Sequence, residues 1–171
     1  MKQRKIKTAI RKLTAIVLFS MLLSGCGNSA ETKSAIPFTD YNFSSTMDEI
    51  MASEGNNYET YESIYEGTTY TFDKVYMEKN GTIKFMCDSQ NEIKSIAWTY
   101  ACDDGGEIMA LYNNVFAALK EEFGESTQNA NGVGNYAEVW KRDSGNIILS
   151  AVITNDARMI QVAFLSPDVS K

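Results

Sequence analysis

The chain has no histidine in 171 residues. That absence removes the common imidazole base, the Ser-His-Asp and Cys-His catalytic arrangements, and the usual zinc and haem ligand sets. Cysteine and proline are scarce as well, with three and two residues respectively. No apolar run reaches the ~20 residues that a membrane-spanning helix needs. Positive charge is also short, since 16 Lys and Arg stand against 22 Asp and Glu for a formal net charge of −6. A nucleic-acid site needs clustered Lys and Arg to displace counterions, so no nucleic-acid partner is expected. Any chemistry would have to rest on carboxylates, Lys, Tyr or thiols.

What positive charge there is gathers at one end. Lys2, Arg4, Lys5, Lys7, Arg11 and Lys12 precede an apolar stretch over 13–23, whose length suits the core of a removable signal better than a spanning helix. The stretch closes on Leu23-Ser24-Gly25-Cys26, which resembles the lipobox of a bacterial lipoprotein signal. The resemblance implies export, cleavage of residues 1–25, and a diacylglyceryl-modified Cys26 anchored in the cell membrane on its extracytoplasmic side. Each buried acyl methylene contributes ~0.8 kcal/mol, so a two-chain anchor holds where a single myristoyl chain is marginal.

Loss of the leader sharpens the charge. All six of its charged residues are basic, so ten basic and 22 acidic residues remain from Cys26 onward, a net charge of −12. That balance opposes a polybasic grip on anionic lipid and leaves the acyl chains as the attachment. Residues 26–37 are small and polar and read as a flexible tether, which would hold the domain ~20 Å from the bilayer. Residues 38–171 suffice for a single domain.

Within that domain Thr46 and Glu49 form a capping box, Met47, Ile50 and Met51 share an apolar face, and Gly55-Asn56-Asn57 supplies a stop, which predicts a short helix. Tyr58, Tyr61, Ile64 and Tyr65 fit both helical and strand patterns; a strand is expected. Further strands are expected over 68–77, 82–88 and 92–100, with Asn80-Gly81 as the first hairpin turn and Ile96, Trp98 and Tyr100 on one face. Ile108, Leu111, Tyr112, Val115, Phe116, Leu119 and Phe123 trace the apolar stripe of a helix over about 107–123, begun by Asp104 and Glu107 and ended by a left-handed Gly124. Residues 125–134 read as a loop, and strands follow over 135–142, 146–153 and 158–165.

The expected fold class is therefore α+β. It is a two-layer arrangement in which an antiparallel β-meander is packed by a short N-terminal helix and a longer central one. The order is one helix, three to four strands, a second helix and three strands. Glu49-Ile50-Met51-Ala52 recurs as Glu107-Ile108-Met109-Ala110, which raises a possible tandem repeat.

The Gly-closed short helix, the Tyr-rich meander, the helix end Leu119-Lys120-Glu121-Glu122-Phe123-Gly124, Trp140 and the closing strands resemble small Gram-positive lipoproteins of unassigned role. More distantly, the alternation over most of residues 45–165 is similar to β-lactamase-inhibitor-protein-like domains. Those place helices against an antiparallel sheet and generally bind other proteins. The resemblance implies a binding function; its motifs are generic, and no inhibitor contact residue carries over.

Candidate sites are few. Asp103-Asp104-Gly105-Gly106-Glu107 offers hard oxygen ligands, yet it lacks the alternating spacing of a calcium loop, and helix capping accounts for it. Glu121 and Glu122 point about 100° apart on a helix, which makes them a poor acid and base pair. Cys87 and Cys102 are expected at opposite ends of neighbouring strands, beyond the ~7 Å that a disulfide spans, hence two free thiols. Trp98, Tyr100, Phe116 and Trp140 are expected to fill the core. Tyr58, Tyr61 and Tyr65, interleaved with Glu59, Glu62 and Glu66, are a possible binding surface for a protein or peptide; the alternative is an ordinary solvated strand.

The expectation is a lipid-anchored binding or accessory module of the cell envelope, without catalysis, metal or cofactor. An envelope hydrolase acting on glycan is the alternative from another class and requires a cleft with two convergent carboxylates. A purely structural lipoprotein requires neither cleft nor patch.

Overall fold

The first helix starts where the sequence predicts. Thr46 Oγ1 accepts from the Glu49 N–H at 3.3 Å, and the Glu49 carboxylate accepts from the Thr46 N–H at 2.9 Å. This reciprocal cap satisfies two backbone donors that a helix start leaves open, and α1 runs Met47–Glu54. The computed structural model describes residues 36–170; the expected signal, Cys26 and all of the tether before Ile36 lie outside the described residues.

Four strands follow α1: β1 Glu59–Glu62, β2 Glu66–Tyr76, β3 Lys79–Asp88 and β4 Ile93–Ala101. Helix α2, Gly105–Phe123, then leads to β5 Gln128–Gly132, β6 Asn135–Trp140, β7 Ile147–Ile153 and β8 Arg158–Leu165. All eight strands join one antiparallel sheet in the order β1-β2-β3-β4-β8-β7-β6-β5. The fold is α+β with most of its ordered chain in the sheet. At the centre β4 meets β8, with Trp98 opposite Val162 and Ile96 opposite Phe164. Among the described residues no helix is long and apolar enough to cross a membrane.

Four expectations need correction. The β2–β3 turn is Met77-Glu78, both at positive φ (49° and 62°), and Asn80 and Gly81 lie inside β3 opposite Val75 and Lys74. A two-residue turn with both residues at positive φ matches the twist of the strands it joins. A turn at Asn80-Gly81 would set Phe72 opposite Ser89, whereas the observed register sets it opposite Ile83 in the core. Hydrophobic register thus overrides the better turn dipeptide. Gly81 is needed elsewhere, because a Cβ there would fall 2.5 Å from the Trp98 ring and 2.4 Å from the Thr99 carbonyl oxygen.

The second correction is β5. Residues 125–134 look like a loop because Gln128-Asn129-Ala130-Asn131-Gly132 has no apolar alternation and every residue is exposed. Pairing comes from β6 instead, and Thr127 anchors it: its N–H and Oγ1 both donate to the Val139 carbonyl, at 2.7 and 2.9 Å. Four strands therefore follow α2, not three. The third correction concerns the tether, whose last residues belong to the fold: Ile36 is 4% exposed and sits in the core with Phe38. Gly124 closes α2 at φ 82°, as a glycine-favoured position should, but at ψ −164°, an extended conformation and not the left-handed helical one.

The core lies on one side of the sheet. Phe85, Ile96, Trp98, Leu149 and Val162 face Met47 and Ile50 of α1 and Ile108, Val115 and Leu119 of α2, and α2 crosses β7 and β8. The segment before α1 adds to the same side through Phe38 against Phe164 (5.9 Å between centroids) and Tyr41 against Phe85 (5.8 Å). Both buried indoles find acceptors, Trp98 on the Lys74 carbonyl at 2.9 Å and Trp140 on the Gly124 carbonyl at 2.8 Å. Removing either ring would cost about 3–5 kcal/mol.

Candidate functional site

With the helices on one side, strand alternation turns the other residues outward. The four central strands display there the alternate positions from Asn80 to Met86, Ser95 to Ala101, Met159 to Leu165 and Ile148 to Val152. Lys84 is the one charged residue among them, in a chain of which 22% is charged. Ala97, opposite Lys84 and Ala163, is 0% exposed, and Ser95, opposite Met86 and Leu165, is 1% exposed. Among the described residues neither helix lies on this side, since α1 and α2 both pack on the opposite face of the sheet. Lys84, Met86, Ile148 and Leu165 flank these small side chains in the register and are themselves half-exposed.

The three tyrosines singled out from the sequence occupy three settings. Tyr58 lies on the helix side, 5.4 Å from the Phe72 ring and 5.9 Å from that of Tyr70. Tyr61, opposite Thr69 in β1, is on the helix-free side and 48% exposed. Tyr65 sits half-buried in the β1–β2 turn, where burial and then the Asp168 charge raise its phenol pKa. Of the three, Tyr61 alone belongs to the outer face.

The acidic cluster at the start of α2 acts as a cap. Asp104 Oδ1 accepts from the Gly106 and Glu107 N–H groups at 2.8 and 3.3 Å. Glu107 reaches back to the sheet, accepting from Lys79 Nζ at 2.8 Å and from the Tyr100 hydroxyl at 2.7 Å. Those two donors hold its carboxyl below the usual range, and the same bonds raise the pKa of Lys79 and of Tyr100. Spacing hinted at the cap; the ties to Lys79 and Tyr100 depend on strand register and were not legible in sequence.

A second charged group was missed altogether. Lys94 Nζ lies 2.7 Å from Asp168, 2.8 Å from Glu92 and 3.2 Å from Asp88. The ammonium joins the β3–β4 turn to the chain after β8, beside a cleft of about 660 Å³ that the segment before α1 also lines. Hydrogen bonds from Lys94 and then Ser166 pull Asp168 down to about 2. Burial pushes Asp88 up, but the Glu92 and Gln90 N–H groups and Lys94 outweigh it and leave the carboxyl lowered. Lys94 itself is raised by Asp168 and then Glu92. A glycosidase acid needs a raised pKa; Asp88 and Asp168 are held ionised by a shared cation.

Glu121 and Glu122 are exposed on α2. Cys87 is buried, with its thiol pushed up to about 11 by burial, whereas Cys102 is half-exposed past the far end of β4; both are free. Comparison with known proteins returns no family model, no curated protein and no solved structure that matches this chain.

Proposed function

We propose that this chain is a lipid-anchored, non-catalytic binding module of the cell envelope, held through Cys26, that recognises a protein with the helix-free face of its sheet. The observation that carries the reading is the near absence of charge at the centre of that face: from Cys26 onward the chain has a net charge of −12, yet the four central strands turn Lys84 alone to it, and the carboxylates of Glu59 and Asp73 lie on the flanking β1 and β2. Interface cores are depleted of charge and favour Met and aromatic groups, and Met86, Met159 and Tyr61 supply them. The lipobox-like Leu23-Ser24-Gly25-Cys26 supports the anchor. The shared ionisation of Asp88 and Asp168 favours binding over glycan hydrolysis.

We read the two halves, each a helix followed by four strands, as tandem units of a two-layer domain. Glu49 and Glu107 stand third in their helices, three residues after the capping Thr46 and Asp104, and the strand order runs outward from β4 and β8 alike.

A photo-crosslinking residue at Lys84 or Met86, with Asn113 on the exposed side of α2 as control, tests the reading in intact cells. The expected result is one reproducible covalent partner from the sheet positions and none from Asn113. Equal or absent crosslinking at all three positions would remove the binding face.

A further inference from the structure

We infer that the free edge of β1 accepts an extended, lysine- or arginine-rich segment of a partner protein as a ninth strand. This rests on the binding-module reading for the existence of a protein partner, and adds the place and chemistry of one contact.

Among the described residues the edge is open: β1 is the terminal strand, pairs with β2 alone, and exposes all four of its residues. The Ser63 N–H donates to the Gly67 carbonyl at 2.9 Å. Because backbone direction alternates in an antiparallel ladder, Ser63, Tyr61 and Glu59 turn toward β2, and Thr60 and Glu62 turn their N–H and C=O groups away from the sheet. Such groups are a template for another strand.

Charge chooses the occupant. Residues 45–78 carry eight acidic side chains and one basic one, Lys74, which is already paired with Glu54 at 3.2 Å. Glu59, Glu62 and Glu66 stand exposed along the edge and its turn, and among the described residues none of them has an ion pair. A second copy of β1 would set these carboxylates against their like. The opposite edge, β5, has no charged residue, so charging an edge is not how this sheet guards both its ends. A strand with Lys or Arg at alternate positions would pair its backbone with Thr60 and Glu62 and carry its cations on one face, beside Glu59 and Tyr61 or, in the register shifted by one residue, beside Glu62. The exposed ring of Tyr61 offers a cation–π contact.

The test uses the full-length protein in detergent and three octapeptides. One alternates Lys and Val, one alternates Lys and Pro with the same charge but half the backbone donors and a poor fit to a strand, and one alternates Glu and Val. The expected result is that the Lys-Val peptide binds at least about tenfold tighter than either other peptide, a difference large enough to assign. Its affinity should fall with salt, and hydrogen exchange should slow at the Thr60 and Glu62 amides. Thr60→Pro should weaken binding by about tenfold or more, since it removes one outward donor. Glu59→Lys with Glu62→Lys, which spares the backbone, should reverse the preference toward the Glu-Val peptide. Equal binding of the Lys-Val and Lys-Pro peptides, or protection elsewhere than β1, would overturn the inference. Crosslinking at Lys84 that is unchanged in the double variant while no peptide binds would overturn the edge and leave the binding face standing.

Discussion

Gly81 lies directly beneath the indole of Trp98. A Cβ at position 81 would come 2.5 Å from Trp98 Cε2 and 2.4 Å from the Thr99 carbonyl oxygen, and Trp98 is itself fully buried. Neither neighbour has room to yield, since one is ladder backbone and the other a packed ring. Gly81→Ala should lower unfolding stability by about 2 kcal/mol or more, read as a shifted urea midpoint. A midpoint unchanged from wild type would contradict the contact.

Two tyrosines should respond in opposite ways to loss of their hydroxyl. Tyr112 OH is buried and has no hydrogen-bond partner among the described residues, and burial followed by the Glu138 charge pushes its pKa to about 12. Tyr100 OH donates to Glu107. Tyr112→Phe should be neutral or stabilising, and Tyr100→Phe should cost about 1 kcal/mol. Thermal denaturation of the two variants side by side checks the contrast.

The Lys94 cluster makes an acid-sensitive joint. Asp168 is lowered from 3.8 to about 2 in the folded chain, so its contribution is present above the unfolded pKa and is lost as pH falls through that window. Asp168→Asn should remove part of the stability lost between pH 4 and 2, measured by denaturant titration at each pH. An identical pH profile in the variant would show that the loss arises elsewhere.

Accessibility separates the thiols. Cys102 is half-exposed and Cys87 buried, with a thiol raised to about 11. Maleimide should modify Cys102 in the folded protein and reach Cys87 only once denaturant is added. Peptide mapping by mass spectrometry reads both sites; equal labelling in the native state would be the contrary result.

Glu66 holds φ 68° without being glycine. Glu66→Gly should raise stability by roughly 1 kcal/mol, because the left-handed region costs a side-chain residue about that much. If the β1 edge takes a basic strand, the same variant should also bind the Lys-Val peptide more weakly. A gain in stability without that loss would place Glu66 outside the contact.

Local signals were legible where they act through a few neighbouring residues. The box between Thr46 and Glu49, the cap at Asp104 and the α2 stripe from Ile108 to Leu119 all follow from spacing alone. Sequence reasoning failed where pairing with another strand, and not the segment's own pattern, decides. β5 has no pattern of its own and becomes a strand because β6 lies beside it. Asn80-Gly81 has strong turn chemistry but is drawn into β3 by the pairing of Phe72 with Ile83 and by Trp98 above it. The candidate site divides in the same way, since Tyr58 and Tyr61 lie three residues apart yet end on opposite sides of the sheet.

Composition and short-range order by themselves determine that this chain lacks imidazole chemistry, carries a large acidic excess from Cys26 onward, and alternates helices with antiparallel strands. Each of these is a property of residue type or of neighbours within one turn or one hairpin. Which side of the sheet α1 and α2 pack against, which carboxylates share Lys94, and which of the described strands stand at the edges were decided only by tertiary structure. Those outcomes depend on pairing β4 with β8 across about 60 residues of chain, and on burying one apolar face at the expense of the other.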